Sequence, residues 1–263
     1  MADRSHTREQ SLGILGGTFN PPHLGHLAVA RHAQQELGLE RVLLVPAHTA
    51  PYKSRGTGGQ DGSRAAGGSK AVGGSIEAGG SGDGGGLGAN DPGPQHRLRM
   101  CQLAVMDEDG LSVSAVEVER GGLSYTVDTL RSIHATYPHA QLTFIVGADT
   151  ASTLGSWREP AQLLELAQLA VATRDGTARQ RVLEALDAVT ALAAAGEGER
   201  KGGKEPSVGA AVRFLEMPAI EVSSSAVRER VARGEAIDQL VGPAVAGYIA
   251  EQGLYRVGAA VGR

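Results

Sequence analysis

Residues 16–26 read GGTFNPPHLGH, a glycine pair, a proline pair and two histidines directly behind the apolar run Leu12-Gly13-Ile14-Leu15. The apolar run predicts a buried strand over 12–16, and the glycines end it. Pro21 and Pro22 stiffen the turn and delay a helix, because proline fixes φ and restricts the residue before it. The helix is then expected over 25–37, opening near Leu24. In a parallel sheet the ligand crevice lies at the carboxyl ends of the strands, so this turn is placed to meet a ligand. Gly16 and Gly17 lack a Cβ and let a phosphate approach the backbone closely. The amides at the helix start point at an anion. His23 and His26, three positions apart, share one face of the first turn. Taken singly, a Gly-Gly turn is a plain turn and a surface histidine is inert, and no further histidine or cysteine clusters with this pair to build a zinc site. Their combination in one strand, turn and helix favours a polyphosphate site.

Outward from that stretch the chain divides by composition. Residues 54–95 hold 16 of the 38 glycines and almost no large apolar side chains, too little to offset ordering entropy. They are expected to form a disordered Gly-rich insert, with a second, shorter flexible loop at 196–206 and flexible ends at 1–10 and 257–263. The remainder, 11–53 and 96–256, alternates strand-like and helical runs, which predicts one α/β domain built on a parallel sheet with helices on both faces. Strands are expected at 41–46, 112–118, 142–146, 169–172 and 212–215 besides the first. Helices are expected at 97–106, 126–137, 224–233 and 243–252.

The bulk composition narrows the function class. Apolar residues make up 41% of the chain and aromatic ones 3%, so the core is one of Leu, Val, Ile and Ala. A formal charge of −4 offers no whole-protein field for nucleic acid. The single cysteine, Cys101, excludes an internal disulfide framework and a cysteine-based zinc site, and fits a reducing compartment. Neither a signal peptide nor a run long enough to span a membrane is visible, so a cytoplasmic location without membrane partners is expected. The oligomeric state, a homo-oligomer included, is left open.

Gly17, Phe19, Pro21, His23 and His26 meet the pattern Gly-x-Phe-x-Pro-x-His-x-x-His, and here the chain resembles the nucleotidylyltransferase superfamily. The His-Leu-Gly-His core is also similar to the signature of class I aminoacyl-tRNA synthetases, so this motif names a chemistry and not a substrate. Residues 222–228, VSSSAVR, open a helix with three hydroxyls and an arginine. By themselves they read as an N-cap at Ser223 or Ser224 with surface charges behind it. The superfamily carries Ile-Ser-Ser-Thr-x-x-Arg there, from which this chain departs in Val222 and Ser225. That likeness implies that Ser224, Ser225 and Arg228 grip the β- and γ-phosphates of a nucleotide. In PAHTAPYKS (46–54) relatives often read Pro-Pro-His-Lys; Tyr52 replaces the histidine, Lys53 remains, and His48 stands where asparagine is common. A lysine beside a loop is otherwise simply solvated.

Three more stretches are similar to nicotinate mononucleotide adenylyltransferases: GLSYTVDTL (122–130), FIVGADTASTLGSW (144–157) and EQGLYR (251–256). The resemblance implies a Rossmann-like nucleotidylyltransferase fold and transfer of AMP from ATP to nicotinate mononucleotide, with Mg²⁺ bound through the ATP phosphates and no protein metal ligand. It implies catalytic roles for His23, His26, Lys53 and Arg228. ATP would be held by Gly16, Gly17, Thr18, Phe19, Ser224 and Ser225, with Thr173 and Arg174 near the adenine. Nicotinate mononucleotide would be held by Tyr125, Thr126, Asp149 and Trp157. The residues themselves allow plainer readings: a structural tryptophan, an N-cap at Thr126, a capping Asp149. Pantetheine phosphate or nicotinamide mononucleotide as acceptor, and a nucleotide sensor without catalysis, are the alternatives. GSGDGG (80–85) follows no strand, and GERKGGKE (198–205) lacks the final Ser or Thr of a P-loop, so neither carries a phosphate site.

Overall fold

The computed structural model describes residues 10–51, 91–173, 176–196, 212–217 and 222–256. Tyr52, Lys53, Arg174, nearly all of the expected insert and the 197–206 stretch lie outside the described residues. Six strands form one sheet: β1 (Ser11–Gly17), β2 (Arg41–Pro46), β3 (Leu111–Val113), β4 (Gln141–Gly147), β5 (Gln168–Thr173) and β6 (Val212–Glu216). Their spatial order is β3-β2-β1-β4-β5-β6, and every pairing is parallel. This is the doubly wound order of the Rossmann type, whose direction of winding reverses between β1 and β4.

β1 is paired along both edges, an environment that suits a near-continuous apolar strand. Its Gly13 is a packing requirement: a Cβ there would meet Leu39 Cδ1 at 2.8 Å and Val42 Cγ2 at 2.9 Å. The register sets Gly17 beside Pro46, so the loops leaving β1 and β2 emerge side by side.

The helices cover the sheet. α1 (Leu24–Leu37) buries Leu27, Val29, Ala30 and Ala33, and ends on Gly38 in the left-handed conformation. α2 (Pro94–Ala104) reaches back into the expected insert; its first turn is preceded by Asp91, whose carboxylate accepts from the backbone N–H of Gly93 and from Arg97 Nε. α3 (Val116–Arg120), α4 (Thr126–Thr136) and the single turn α5 (Ala148–Ala151) follow, then α6 (Pro160–Leu166) and α7 (Gly176–Gly196). The C-terminal part is α8 (Ser224–Ala232), α9 (Asp238–Val241) and α10 (Pro243–Glu251).

The strand expected over 112–118 is corrected. Pairing with β2 stops at Val113, the Ser114 N–H closes the ladder on the Leu44 carbonyl, and 116–120 turn into α3. The alternation of Val and polar residues mimics a half-buried strand, but one helical turn brings Glu117 and Val118 inward together.

One apolar cluster fills both faces of the sheet. A smaller one joins Met100 of α2 to Val227, Ile237, Val241, Val245, Ala246, Ile249 and Tyr255. It fixes the C-terminal helices against α2, and through them the two ends of the chain meet at the site.

Candidate active site

The turn between β1 and α1 is held by its own imidazoles. His23 is the N-cap of α1 in extended conformation, and its backbone N–H donates to His26 Nδ1 at 3.1 Å. The two rings stack with centroids 3.7 Å apart, and the Phe19 ring stands edge-on to His26 at 4.9 Å. Both histidines are almost fully buried, at 3% and 1% exposure. Burial lowers the His23 pKa to about 4. It holds His26 well below its ordinary value too, with the neighbouring His23 charge as a second cause. Both rings are therefore neutral at pH 7. Because His26 Nδ1 accepts a bond, its proton sits on Nε2. His26 Nε2 and both ring nitrogens of His23 have no hydrogen-bond partner among the described residues. Buried polar atoms of this kind normally find one; neutral His26 leaves one N–H donor here, and neutral His23 one donor and one acceptor.

Gly25 lies between them for a steric reason. A Cβ on it would approach His23 Nδ1 and Val222 Cγ1 to 3.0 Å each.

The C-terminal phosphate element arrives at the same turn. Arg228 Nη1 donates to the Asn20 carbonyl at 2.7 Å, and its Nη2 to Ser225 Oγ at 3.0 Å. Ser224, 1% exposed, donates its hydroxyl to the Pro21 carbonyl at 2.9 Å. Its proton thus serves the loop. Ser223, not Ser224, is the cap: its hydroxyl accepts from the Ala226 N–H. The fold brings His23, His26, Ser224, Ser225 and Arg228 together across some two hundred residues of sequence.

A cleft opens beside this turn at the carboxyl end of β1, where the sheet reverses its winding. Gly16, Gly17 and Thr18 form one wall; Tyr125, Thr126, Trp157 and Arg158 stand among the others. Trp157 Nε1 donates to Thr153 Oγ1 at 3.0 Å, and its ring meets Phe144 edge-on at 6.0 Å. One edge of the indole is thereby anchored while the ring borders the cleft. Tyr125, not Thr126, is the N-cap of α4, and its ring lies 4.9 Å under the Arg158 guanidinium. Asp149 is exposed at the start of α5, outside the cleft walls, with Arg181 Nη2 3.4 Å from its Oδ1. His48 is held by Ser124 Oγ at its N–H and by Thr49 Oγ1 and the Gly122 carbonyl at Nδ1.

Two buried charges escaped the sequence reading. Arg97, 1% exposed, donates to the carbonyls of Thr18, Ala47 and His48 and pairs with Asp91, tying together the loops behind β1 and β2. Glu117 lines the cleft, accepts from the Thr129 hydroxyl at 2.5 Å, and has its pKa raised by burial. Arg97 sits on an otherwise apolar helix face, the one available signal; the alternating pattern disguised Glu117.

Paired imidazoles at a helix start, a returning arginine and a cleft at the switch point are the arrangement expected of a nucleotidyltransferase. The family described as cytidylyltransferase-like matches residues 14–60 and 94–230, on both sides of the glycine segment. Relatives narrow this further. A protein of Gemmatimonas aurantiaca named "Probable nicotinate-nucleotide adenylyltransferase" is 33% identical over 93% of this chain and 92% of its own length. One of Citrifermentans bemidjiense with the same name is 36% identical over 93% and 97%. The chain belongs to the nicotinate-nucleotide adenylyltransferase family. The fold is shared with the Plasmodium falciparum nicotinic acid mononucleotide adenylyltransferase complexed with NaAD, at a TM-score of 0.60 and 14% identity over 94% of this chain and 98% of that one. No described helix is long and apolar enough to cross a membrane.

Proposed function

We propose that this enzyme transfers the adenylyl group of ATP to nicotinate mononucleotide, giving nicotinate adenine dinucleotide and pyrophosphate. The observation that carries the reading is the bond from Arg228 to the carbonyl of Asn20, which brings a cation from the far end of the chain to the turn bearing His23 and His26.

The mononucleotide phosphate, largely dianionic at neutral pH, needs no strong base to attack. Its oxygen forms a bond to the α-phosphorus of ATP as the bond to the β-phosphate oxygen breaks, and pyrophosphate leaves. The protein's task is alignment of two anions and neutralisation of developing charge. His26 donates through Nε2–H to a phosphoryl oxygen, and His23 donates beside it. Arg228 and Lys53 offset the leaving charge, while Ser224 and Ser225 present the start of α8 to the β- and γ-phosphates. Gly16, Gly17, Thr18 and Phe19 leave room for the triphosphate, and Arg174 borders the adenine. Trp157 offers a ring face to the pyridine, Tyr125 and Thr126 the start of α4 to its carboxylate, and Asp149 a carboxylate to ribose hydroxyls.

Among the described residues no three His, Cys, Asp or Glu side chains are grouped to hold a metal. The donors at the turn are imidazoles and amides, which suit phosphate oxygens, so Mg²⁺ would be held by the nucleotide and water. It would supply charge neutralisation on those oxygens. We assign the reaction to the cytoplasm.

The test is purified protein with ATP and, separately, nicotinate mononucleotide, nicotinamide mononucleotide and phosphopantetheine, with products separated by chromatography. Dinucleotide and pyrophosphate from the nicotinate substrate are expected. Preferential turnover of another acceptor would reassign the substrate, and no pyrophosphate with any of them would leave a nucleotide sensor.

A further inference from the structure

The C-terminal stretch EQGLYR (251–256) has no place in the chemistry so far, yet the residue before its last is unusual. Tyr255 has φ of +63°, the left-handed region, which for a bulky side chain is an outlier. Such a conformation persists only where the surroundings over-determine it. Here they do. The turn after α10 is closed by the Leu254 N–H on the Ile249 carbonyl at 3.0 Å, and the Tyr255 ring is buried in the small apolar cluster beside Met100 and Val227. The strained backbone swings the ring under the β1–α1 turn, where its hydroxyl donates to Asn20 Oδ1 at 2.7 Å. Asn20 is itself buried, and its carbonyl is the acceptor of Arg228. Asn20 is thus held at both its side chain and its backbone by groups from the last forty residues, three positions ahead of His23.

We infer that Tyr255 is a positioning residue for adenylyl transfer: through Asn20 it sets the turn that carries His23 and His26 and the carbonyl on which Arg228 rests. Its ring is buried in the apolar cluster and its hydroxyl is engaged by Asn20, so it acts through the turn and not on substrate. The inference rests on the adenylyltransferase reading given above.

The experiment uses the full-length chain with Tyr255→Phe, which removes one oxygen and keeps the buried ring, Asn20→Ala, which removes the acceptor, and the double variant. Turnover is referred to the folded fraction measured by circular dichroism. A misplaced reacting group costs rate more than binding, so Tyr255→Phe is expected to lower kcat about tenfold and leave KM for ATP within about twofold. The double variant should be no slower than the slower single one, because both remove the same bond. In substrate-free protein the imidazole NMR signals of His23 and His26 should shift in Tyr255→Phe. Wild-type kcat with a lowered melting temperature, additive losses in the double variant, or unmoved imidazole signals would each overturn the inference. If the wild-type protein forms no dinucleotide, the adenylyltransferase reading fails on its own, and the imidazole signals still decide whether Tyr255 positions the turn.

Discussion

The backbone N–H of His23 donates to Nδ1 of His26, so the first histidine of the motif decides which nitrogen of the second carries the proton. With the rings stacked 3.7 Å apart, two positive charges there would repel each other strongly. The two rings are therefore not protonated together, and at least one of them stays neutral.

Removal of the His26 donor is expected to lower kcat by about 100- to 1,000-fold, the range typical of losing one oriented donor to developing charge. Steady-state kinetics of His26→Ala measure it. Turnover near that of the wild type would remove His26 from the chemistry.

The burial of the imidazoles predicts an acid-labile fold. The unfolded chain takes up these protons near the ordinary histidine value of about 6.5, whereas folded His23 does so only at about 4. The unfolded state then binds more protons as pH falls, so stability is complete above the unfolded value and declines from there down through the folded one. Thermal melts across that window should show a smaller decline for His23→Gln than for the wild type. Parallel declines would mean that other groups govern the acid limb.

Gly25→Ala is expected to reduce kcat more than it reduces stability. The added methyl group meets the His23 ring and Val222, and overpacking of this kind costs on the order of 1–3 kcal/mol, part of which the ring relieves by moving. Kinetics compared with urea denaturation check this. A loss of stability with kcat intact would place the strain on Val222 instead.

Arg97→Met should destabilise the protein by roughly 3–5 kcal/mol, because it strips three carbonyls, two of them in buried bonds, of their donor and leaves Asp91 without its cation. Denaturant unfolding is the measurement. A cost near zero would show that water replaces the guanidinium without difficulty.

Trp157→Ala is expected to raise KM for the mononucleotide and to spare that for ATP, since a stacked ring is worth about 1–3 kcal/mol to a flat base. Titration of each substrate at saturating levels of the other separates the two. Equal effects on both would make Trp157 a structural residue, as its bond to Thr153 alone would allow.

The strands 41–46 and 142–146, the helix that opens between the histidines and the parallel α/β class were legible in the sequence because their signals are local: apolar runs, a glycine pair, prolines and a helical period. The 112–118 stretch was not, because its alternation of apolar and polar residues has the period of a strand, while 116–120 turn into a helix that buries the neighbours Glu117 and Val118 together. Nor was Arg97 legible as a hub, since its acceptors are backbone carbonyls that any sequence supplies.

The residue sequence by itself determined that this chain carries a strand, a stiff turn and a helix opening between two histidines, and that serines and an arginine begin a later helix. Tertiary structure alone decided that Arg228, Ser224 and Tyr255 close on Asn20 and Pro21, and that Ser224 gives its proton to the loop. It also decided that both imidazoles are neutral. Propensity acts between neighbours along the chain, whereas desolvation and hydrogen-bond pairing sum over whatever the fold packs around a group, and those neighbours come from the far end of the sequence.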